Sequence, residues 1–415
     1  MKLLIVTQYF WPENFRINDL VSGLIERGCA VTVLTGIPNY PEGRFFPGYG
    51  FLTRREEEYQ GARVVRVPLI PRGSGGGTRL ALNYLSFLTS AAILGSLRCR
   101  DSYDAIFVFE PSPVTVALPA LFMKALRKIP VLLWVQDLWP ESIRATGAIT
   151  SQRVLDRVAD MVRFIYRRCD RILITSRSFR SSILQYSGTP GQILYFPQCA
   201  EAVFQPAAQP VAVPELAHIP PGFRVMFAGN IGAAQDFETI IGAAERLRRH
   251  GDIHWVIVGD GRMREWAENQ VQSRQLQHTF HFLGKHDLEK MPAFFSNADA
   301  MLVTLKKEPI FALTVPAKIQ SYLACGRPII AALDGEGATI VAEADAGFTC
   351  PTEDPAALAE IVLRMYATAE KERERMGISG RRFYEANFDR NMLLDRLVTW
   401  IDGLTAVKRV SCETD

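Results

Sequence analysis

The chain is short of the residues that most often carry metal, redox or nucleophilic chemistry. Its seven cysteines are dispersed through 415 residues (29, 99, 169, 199, 325, 350, 412) without a C-x-x-C pair. That pattern argues against a disulfide framework and points to reduced thiols in a cytosolic chain. The six histidines form no H-E-x-x-H motif and no D-x-D occurs, so a metal site has no support in the sequence. A P-loop, a complete G-x-G-x-x-G after the first strand and a G-x-S-x-G are also missing. Their absence argues against a nucleoside triphosphatase, a classical dinucleotide dehydrogenase and a serine hydrolase. Charge of one sign is lacking too. With 47 basic and 44 acidic residues the net charge is +3, which gives no support to a nucleic-acid partner. The N-terminus, MKLLIVTQYFWPE, turns polar too soon for a secretory signal and reads as a first strand.

What is present is a regular alternation. At 415 residues, 48% hydrophobic and 22% charged, the chain is globular in composition and too long for one ordinary core. Short apolar runs at 3–7, 30–35, 63–67, 105–109, 131–135, 171–175 and 193–196 alternate with helical patterns at 18–27, 114–127, 154–168 and 178–186. Nearly continuous apolar strands between helices predict a doubly wound parallel sheet. Six prolines between 197 and 221 interrupt the pattern. The alternation then restarts with strands at 224–228, 255–258, 281–283, 300–305 and 328–333, a helix at 237–249 and long closing helices at 355–376 and 391–404. The expectation is α/β: a Rossmann-like domain over 1–200, a linker over 201–222, a second over 223–387, and a C-terminal helix over 388–415 crossing back to the first. Two such domains would face each other across a cleft at the carboxyl ends of their strands, where ligands of open α/β sheets bind.

Several residues stand at such strand ends. The stretch VLLWVQDLWPES (131–142) breaks an apolar strand on Gln136 and Asp137 before two aromatic residues and a proline. Asp137 is read as a catalytic carboxylate or as the N-cap of the next helix, with Gln136 and Glu110 as its companions. WPENFRIND brings Glu13 and Arg16 after the first strand, as site residues or as a solvated pair at a helix start. GIPNYPEG brings Asn39 and Tyr40 after the second. Four glycine turns follow strands in the second half, at 228–236, 258–262, 282–287 and 333–339. Glycine lets backbone N–H groups and a helix N-terminus approach a phosphate, so an anionic ligand is indicated. Lys318, just after Pro316, would lie in the first turn of a helix, where a cation is unfavourable unless an anion pairs with it.

The segments YFWPENFRINDLVSGLIERGCAVTVLTGIPNYPEG (9–43), LLWVQDLWPES (132–142), ILYFPQCAEAVFQP (193–206), FAGNIGAAQDFETIIGAA (227–244), FLGKHDLEKMPAFFSNADAML (282–302) and VPAKIQSYLACGRPII (315–330) carry a resemblance. In that order they resemble the family-four retaining glycosyltransferases of the GT-B fold, the colanic-acid and O-antigen type. The resemblance covers the fold end to end. It implies a UDP-sugar donor held by the second domain and a lipid-linked or saccharide acceptor entering through the first. Configuration would be retained, with no metal or other cofactor. Because the cations with which many members grip the diphosphate are missing here, Lys318, Arg262, Arg16, Asn230, Gly232 and the backbone at Gly335, Glu336, Gly337 and Ala338 are left as its candidates. Base and ribose fall to Gly259, Gly284, Lys285 and Ser321, and the acceptor to Glu13, Asn39, Tyr40 and Trp139.

Two positions depart from the family pattern. Asn230 and Gln235 stand where many members carry an Arg and a Lys, and Ser321 replaces the second of two spaced glutamates. The lost glutamate keeps a catalytically inactive sugar-nucleotide-binding subunit open as an alternative, and a non-hydrolysing UDP-sugar 2-epimerase on the same fold is a second, which the histidine-poor strand ends disfavour. The apolar stretch 79–100, with Arg79, Arg98 and Arg100 at its ends, is either a helix packed on the sheet or a peripheral contact with the inner face of a membrane. Asn83, Ser86, Thr89 and Ser90 argue against a span.

Overall fold

The computed structural model describes residues 1–413 except 74, 75, 146 and 148, with side chains to residue 406. Two residues of the glycine-rich loop at 71–79 and the side chain of Cys412 therefore lie outside the described residues. The six other cysteines are free.

The chain divides into two units, residues 1–197 with 391–415, and residues 198–390. The first unit holds an eight-stranded sheet: β1 (Lys2–Val6), β2 (Ala30–Gly36), β3 (Glu56–Tyr59), β4 (Ala62–Val67), β5 (Ala105–Glu110), β6 (Val131–Val135), β7 (Arg171–Ile174) and β8 (Ile193–Tyr195). Their order is β3-β4-β2-β1-β5-β6-β7-β8, parallel except for the β3–β4 pair. Strands β5 and β6 are buried along their whole length, because helices cover both faces. The helices that matter below are α1 (Arg16–Glu26), α2 (Gly77–Arg98), α3 (Ala117–Arg127) and α4 (Gln152–Arg168).

The second unit holds six parallel strands: β9 (Phe223–Ala228), β10 (Ile253–Val258), β11 (Phe280–Gly284), β12 (Ala300–Thr304), β13 (Ile329–Ala332) and β14 (Gly347–Cys350), ordered β11-β10-β9-β12-β13-β14. Apolar clusters lie on both of its faces, around Trp255 and Phe237 on one and around Tyr322 and Phe294 on the other. Three helices carry the site and one closes the chain: α5 (Phe237–Arg246), α6 (Ala317–Ala324), α7 (Glu336–Glu343) and α8 (Arg390–Glu413).

The strands expected from the apolar runs are all present, and two further strands are added. The EEEY strand β3 looks like solvent-facing sequence, but Glu57 pairs with the buried guanidinium of Arg66 at 2.5 Å, which makes a strand edge of it. The helix expected over 355–376 is two, Pro355–Ala367 and Glu370–Asn387, broken at Thr368 and Ala369. The expected linker 201–222 is irregular, as its prolines require. Even so, Phe204, Leu216 and Ile219 are buried in the core of the second unit, so it packs there rather than hanging between units. Helix α8 belongs to the first unit. Arg27 reaches Asp395 at 2.6 Å, Trp400 meets Phe196 edge-on, and Leu393, Leu394, Leu397 and Ile401 are buried.

Candidate active site

Each sheet has a point where the strand order reverses, and there the loops after neighbouring strands diverge and leave room for a ligand. In the first unit it lies between β1 and β5, in the second between β9 and β12. The candidate residues gather at both.

In the first unit Glu110 ends β5 and is fully buried. The backbone N–H groups of Asp137 and Gln136 face its carboxylate, whose oxygens make no well-formed hydrogen bond among the described residues. Burial, and then the charge of Asp137, raise its pKa well above that of an ordinary carboxylate. Gln136 follows β6 and its N–H donates to the Glu110 carbonyl at 3.1 Å, which holds the two strand ends in register. Asp137 is partly buried and accepts from the Ser142 hydroxyl. Burial raises its pKa, while the donors at Ser142, Trp139 and Ser112 oppose the rise. Trp139 Nε1 donates to Ser112 Oγ at 3.2 Å. The following helix begins at Glu141, so Asp137 is not its N-cap; it binds a hydroxyl in the first turn instead.

Two groups that sequence reasoning missed complete this cluster. Tyr166 of α4 is fully buried, with its hydroxyl unpartnered among the described residues and within electrostatic reach of Glu110, Glu141 and Asp137. Tyr186 faces Glu141 at 3.4 Å. Tyr166 sits at a core position of its helix, so nothing in its spacing marked it. The cluster thus holds three carboxyl groups among hydroxyls in a poorly solvated place, which suits them to gripping the hydroxyls of a ligand.

Glu13 differs from the solvated helix-start reading. It is buried, and its carboxylate accepts from the backbone N–H groups of Asn39 (2.7 Å), Tyr40 (2.7 Å) and Phe10 (3.2 Å). Burial pushes its pKa up to about 7 against those three donors. It ties the loop after β1 to the loop after β2. Arg16 opens α1. Asn39 is buried and accepts from the Arg72 backbone N–H at 3.1 Å. Tyr40 is exposed and meets Tyr9 and Phe15, whose rings stack 5.2 Å apart. The Arg72 guanidinium lies 5.0 Å from the Tyr40 ring centre and donates to the Tyr9 hydroxyl at 3.0 Å. Tyr84, on α2, bonds to Ser112 and lies within reach of both Arg72 and Asp137, which joins the Arg72 loop to the carboxylate cluster. Tyr9 and Arg72 follow strand ends, and that position was a signal available in the sequence.

In the second unit Lys318 occupies the first turn of α6, with Pro316 as N-cap. Its stem is partly exposed, but its ammonium is closed off 3.6 Å over the Phe227 ring, without a hydrogen-bond partner among the described residues. Burial lowers its pKa to about 7. Gly229, at φ 129°, lies beside it; a Cβ there would stand 3.4 Å from Nζ. A Cβ on Gly259 would come within 1.9 Å of the Gly229 carbonyl, so only glycine lets these two loops meet. Gly335 caps α7, and Gly337 packs against Pro316 and Ile319, which sets the N-termini of α6 and α7 side by side. Glu336 is buried in the first turn of α7, and Ala338 follows in that turn.

The remaining second-unit candidates differ in role. Gln235 accepts from the Gly232 N–H at 3.1 Å and from Asn230 at 3.4 Å, so the pair standing where the family carries cations folds the loop on itself. Arg262 is exposed next to Gly261, whose backbone lies against Ile231, and so flanks that loop. Gly284 ends β11 at φ 77°, with Lys285 exposed after it. Ser321 is buried one turn on from Lys318. Among the described residues no group of three or more His, Cys, Asp or Glu is arranged to hold a metal ion. His281 is a satisfied strand residue: its Nε2 lies 3.2 Å from His254 Nδ1, near the amino ends of β11 and β10 and away from the site.

The chain thus consists of two doubly wound α/β units, one with a carboxylate-and-aromatic cluster at its switch point and one with a buried cation at paired helix N-termini. Residues 14–199 match the glycosyl transferase 4-like domain and residues 222–368 the group 1 glycosyl transferases. Together the two models cover most of the chain, which belongs to this GT-B glycosyltransferase family. Curated relatives include WbjE of Pseudomonas aeruginosa, named as a glycosyltransferase (25% identical, covering 80% of this chain and 82% of WbjE). WcaI of Escherichia coli K12, named as a colanic acid biosynthesis glycosyl transferase, is 27% identical over 79% of this chain and 82% of its own. Anabaena HepE, solved in complex with UDP, shares the fold at a TM-score of 0.71, with 14% identity over 97% of this chain and all of HepE.

Proposed function

We propose that the protein transfers a sugar from a UDP-sugar, with retention and without a metal, to a lipid-linked saccharide or polyprenyl-diphosphate acceptor. The setting is surface polysaccharide synthesis on the cytoplasmic side of a membrane. The observation that carries this reading is Lys318: a buried ammonium without a hydrogen-bond partner among the described residues, at the N-termini of α6 and α7, is matched by a diphosphate. The likeness to WcaI, named for colanic acid biosynthesis, supports the polymer, that to WbjE supports glycosyl transfer, and the UDP of the HepE complex supports the nucleotide.

In the reaction the acceptor oxygen bonds to the anomeric carbon on the face from which the phosphate departs. The carbon–oxygen bond to the diphosphate breaks and its electron pair leaves with UDP. The hydroxyl proton passes to a leaving phosphate oxygen. Lys318 and the N-terminal N–H groups of α6 and α7 take up the negative charge, and Asp137 fixes the sugar or acceptor hydroxyl where positive charge develops.

The test is a panel of UDP-sugars with and without lipid acceptor, following free UDP, in EDTA and in Mn²⁺. Acceptor-dependent UDP release that EDTA leaves intact is expected. Activity abolished by EDTA and restored by Mn²⁺ overturns the metal-free mechanism. Sugar interconversion without acceptor assigns an epimerase, and UDP binding without turnover an inactive subunit.

A further inference from the structure

The helix α2 is built back to front for a surface helix of a soluble protein. Its inward stripe, Asn83, Phe87, Ala91 and Gly95, packs on the sheet at a spacing of four, kept in step by a π-helical stretch at Ala91–Gly95. The approach is close: a Cβ on Gly95 would stand 2.5 Å from Leu34. The opposite stripe should be polar. Instead Leu82 (47% exposed), Leu85 (55%), Ile93 (62%) and Leu97 (53%) face outward. Only 22% of its most apolar window is buried, so the packed-helix alternative describes one stripe and leaves the other unexplained.

The outward stripe does not stand alone. Arg127 of α3 donates to the Ser96 carbonyl at 2.6 Å and to the Cys99 carbonyl, which pins α3 to the end of α2. Lys124 of α3 donates to the Arg168 carbonyl at 2.7 Å, which pins it to α4. Phe122 (46% exposed) and Leu126 (60%) of α3 extend the apolar surface across this layer. The three helices carry nine basic and two acidic residues, against a net charge of only +3 for the whole chain. Arg79, Arg153 and Arg157, with Arg100 and Lys128 just beyond helix ends, are exposed cations on or beside them.

We infer that α2, α3 and α4 form a docking face for an anionic lipid bilayer, with α2 lying in the plane of the interface. Apolar side chains enter the acyl boundary and the cations meet the headgroups, the pattern of in-plane amphipathic anchors. A span is disfavoured, because the inward stripe is fixed to the sheet by Gly95 and by Asn83, which donates to Ile70 O and accepts from Gln8, both at 2.6 Å. The face has a consequence for the site: Tyr84, beside Asp137 and Arg72, lies on the same helix, so docking would set the acceptor loops next to the surface that holds a lipid-linked acceptor.

Flotation of the full chain with vesicles tests this without donor or acceptor, so failure of the transferase reading leaves the result untouched. Vesicles of phosphatidylglycerol and phosphatidylcholine should carry the protein at low salt, and pure phosphatidylcholine about tenfold less. Ile93→Ser with Leu97→Ser should cut partitioning about tenfold or more while melting temperature and UDP affinity stay put, since both side chains are exposed. Arg153→Gln with Arg157→Gln should reduce the preference for anionic vesicles and its salt sensitivity. Absence of flotation, or an Ile93/Leu97 variant that floats like the wild type, overturns the inference. So does a wild-type dimer that the same variant dissociates, which would give the face to a second copy. Resistance to alkaline extraction from membranes would overturn the in-plane placement.

Discussion

At the scale of single residues, the electrostatics of buried groups separate binding from catalysis. Lys318 has a pKa near 7 only while no anion faces it. A bound diphosphate raises that pKa, so binding above pH 7 takes up a proton and UDP affinity should fall between pH 7 and 9, by at most about tenfold per unit. Calorimetry of UDP binding in buffers of different ionisation enthalpy reads both effects. Lys318→Met keeps the packing on Phe227, should lose about ten- to a hundredfold in affinity, and should abolish the pH dependence. Unchanged affinity would remove Lys318 from the site. Asp137→Asn still accepts from Ser142 and should fold normally, so full turnover with a competent acceptor would end its catalytic assignment. Glu110→Gln removes a buried ionisable group without changing its shape. Its melting temperature should hold or rise, and a loss of turnover would place Glu110 in the chemistry. Lys318 and Asp137 were legible because each breaks a local rule, a cation at a helix start and a carboxylate ending an apolar strand. Tyr166 and Arg72 break none and only proximity marks them.

At the scale of elements, pairings that are remote in sequence decide what the local pattern leaves ambiguous. The edge strand β3 exists because Arg66 neutralises Glu57 across two strands, and three consecutive glutamates cannot announce that. His254 and His281 likewise meet only because β10 and β11 pair in register. Burial lowers both pKa values, that of His281 to about 4. The folded state therefore binds fewer protons than the unfolded chain, whose histidines titrate near 6.5. The stability this pair confers is intact above pH 6.5 and is lost as pH falls from there toward 4. His254 also faces Arg224, Asp252 and His278, and His281 faces His218 and Arg224, so nearby cations add to the loss. Thermal melts across that range should show the second unit weakening, and His281→Gln should flatten the dependence. A slope unchanged by His281→Gln would contradict the assignment.

At the scale of the whole molecule, the chain leaves the second unit at Arg390 and its last helix completes the first. Burying Leu393, Leu394, Leu397 and Ile401 contributes about 1.5–3 kcal/mol each, comparable in sum with the stability of a typical domain. Truncation after Arg390 should therefore unfold the first unit and spare the second, which should still show a melting transition that UDP raises. A truncated chain retaining both transitions would contradict that account. The α/β class and the alternation of strands and helices in both halves were determined by the sequence alone, because apolar period, glycine and proline act within a few residues of where they stand. Tertiary structure decided the rest: that Glu13 is spent on backbone N–H groups, that Gln235 closes its own loop, that residues 201–222 pack on the second unit, and that α2 shows its apolar stripe outward. Each of these depends on which groups meet across hundreds of residues, and on whether a charge or a methyl group is left facing water once the sheets have formed.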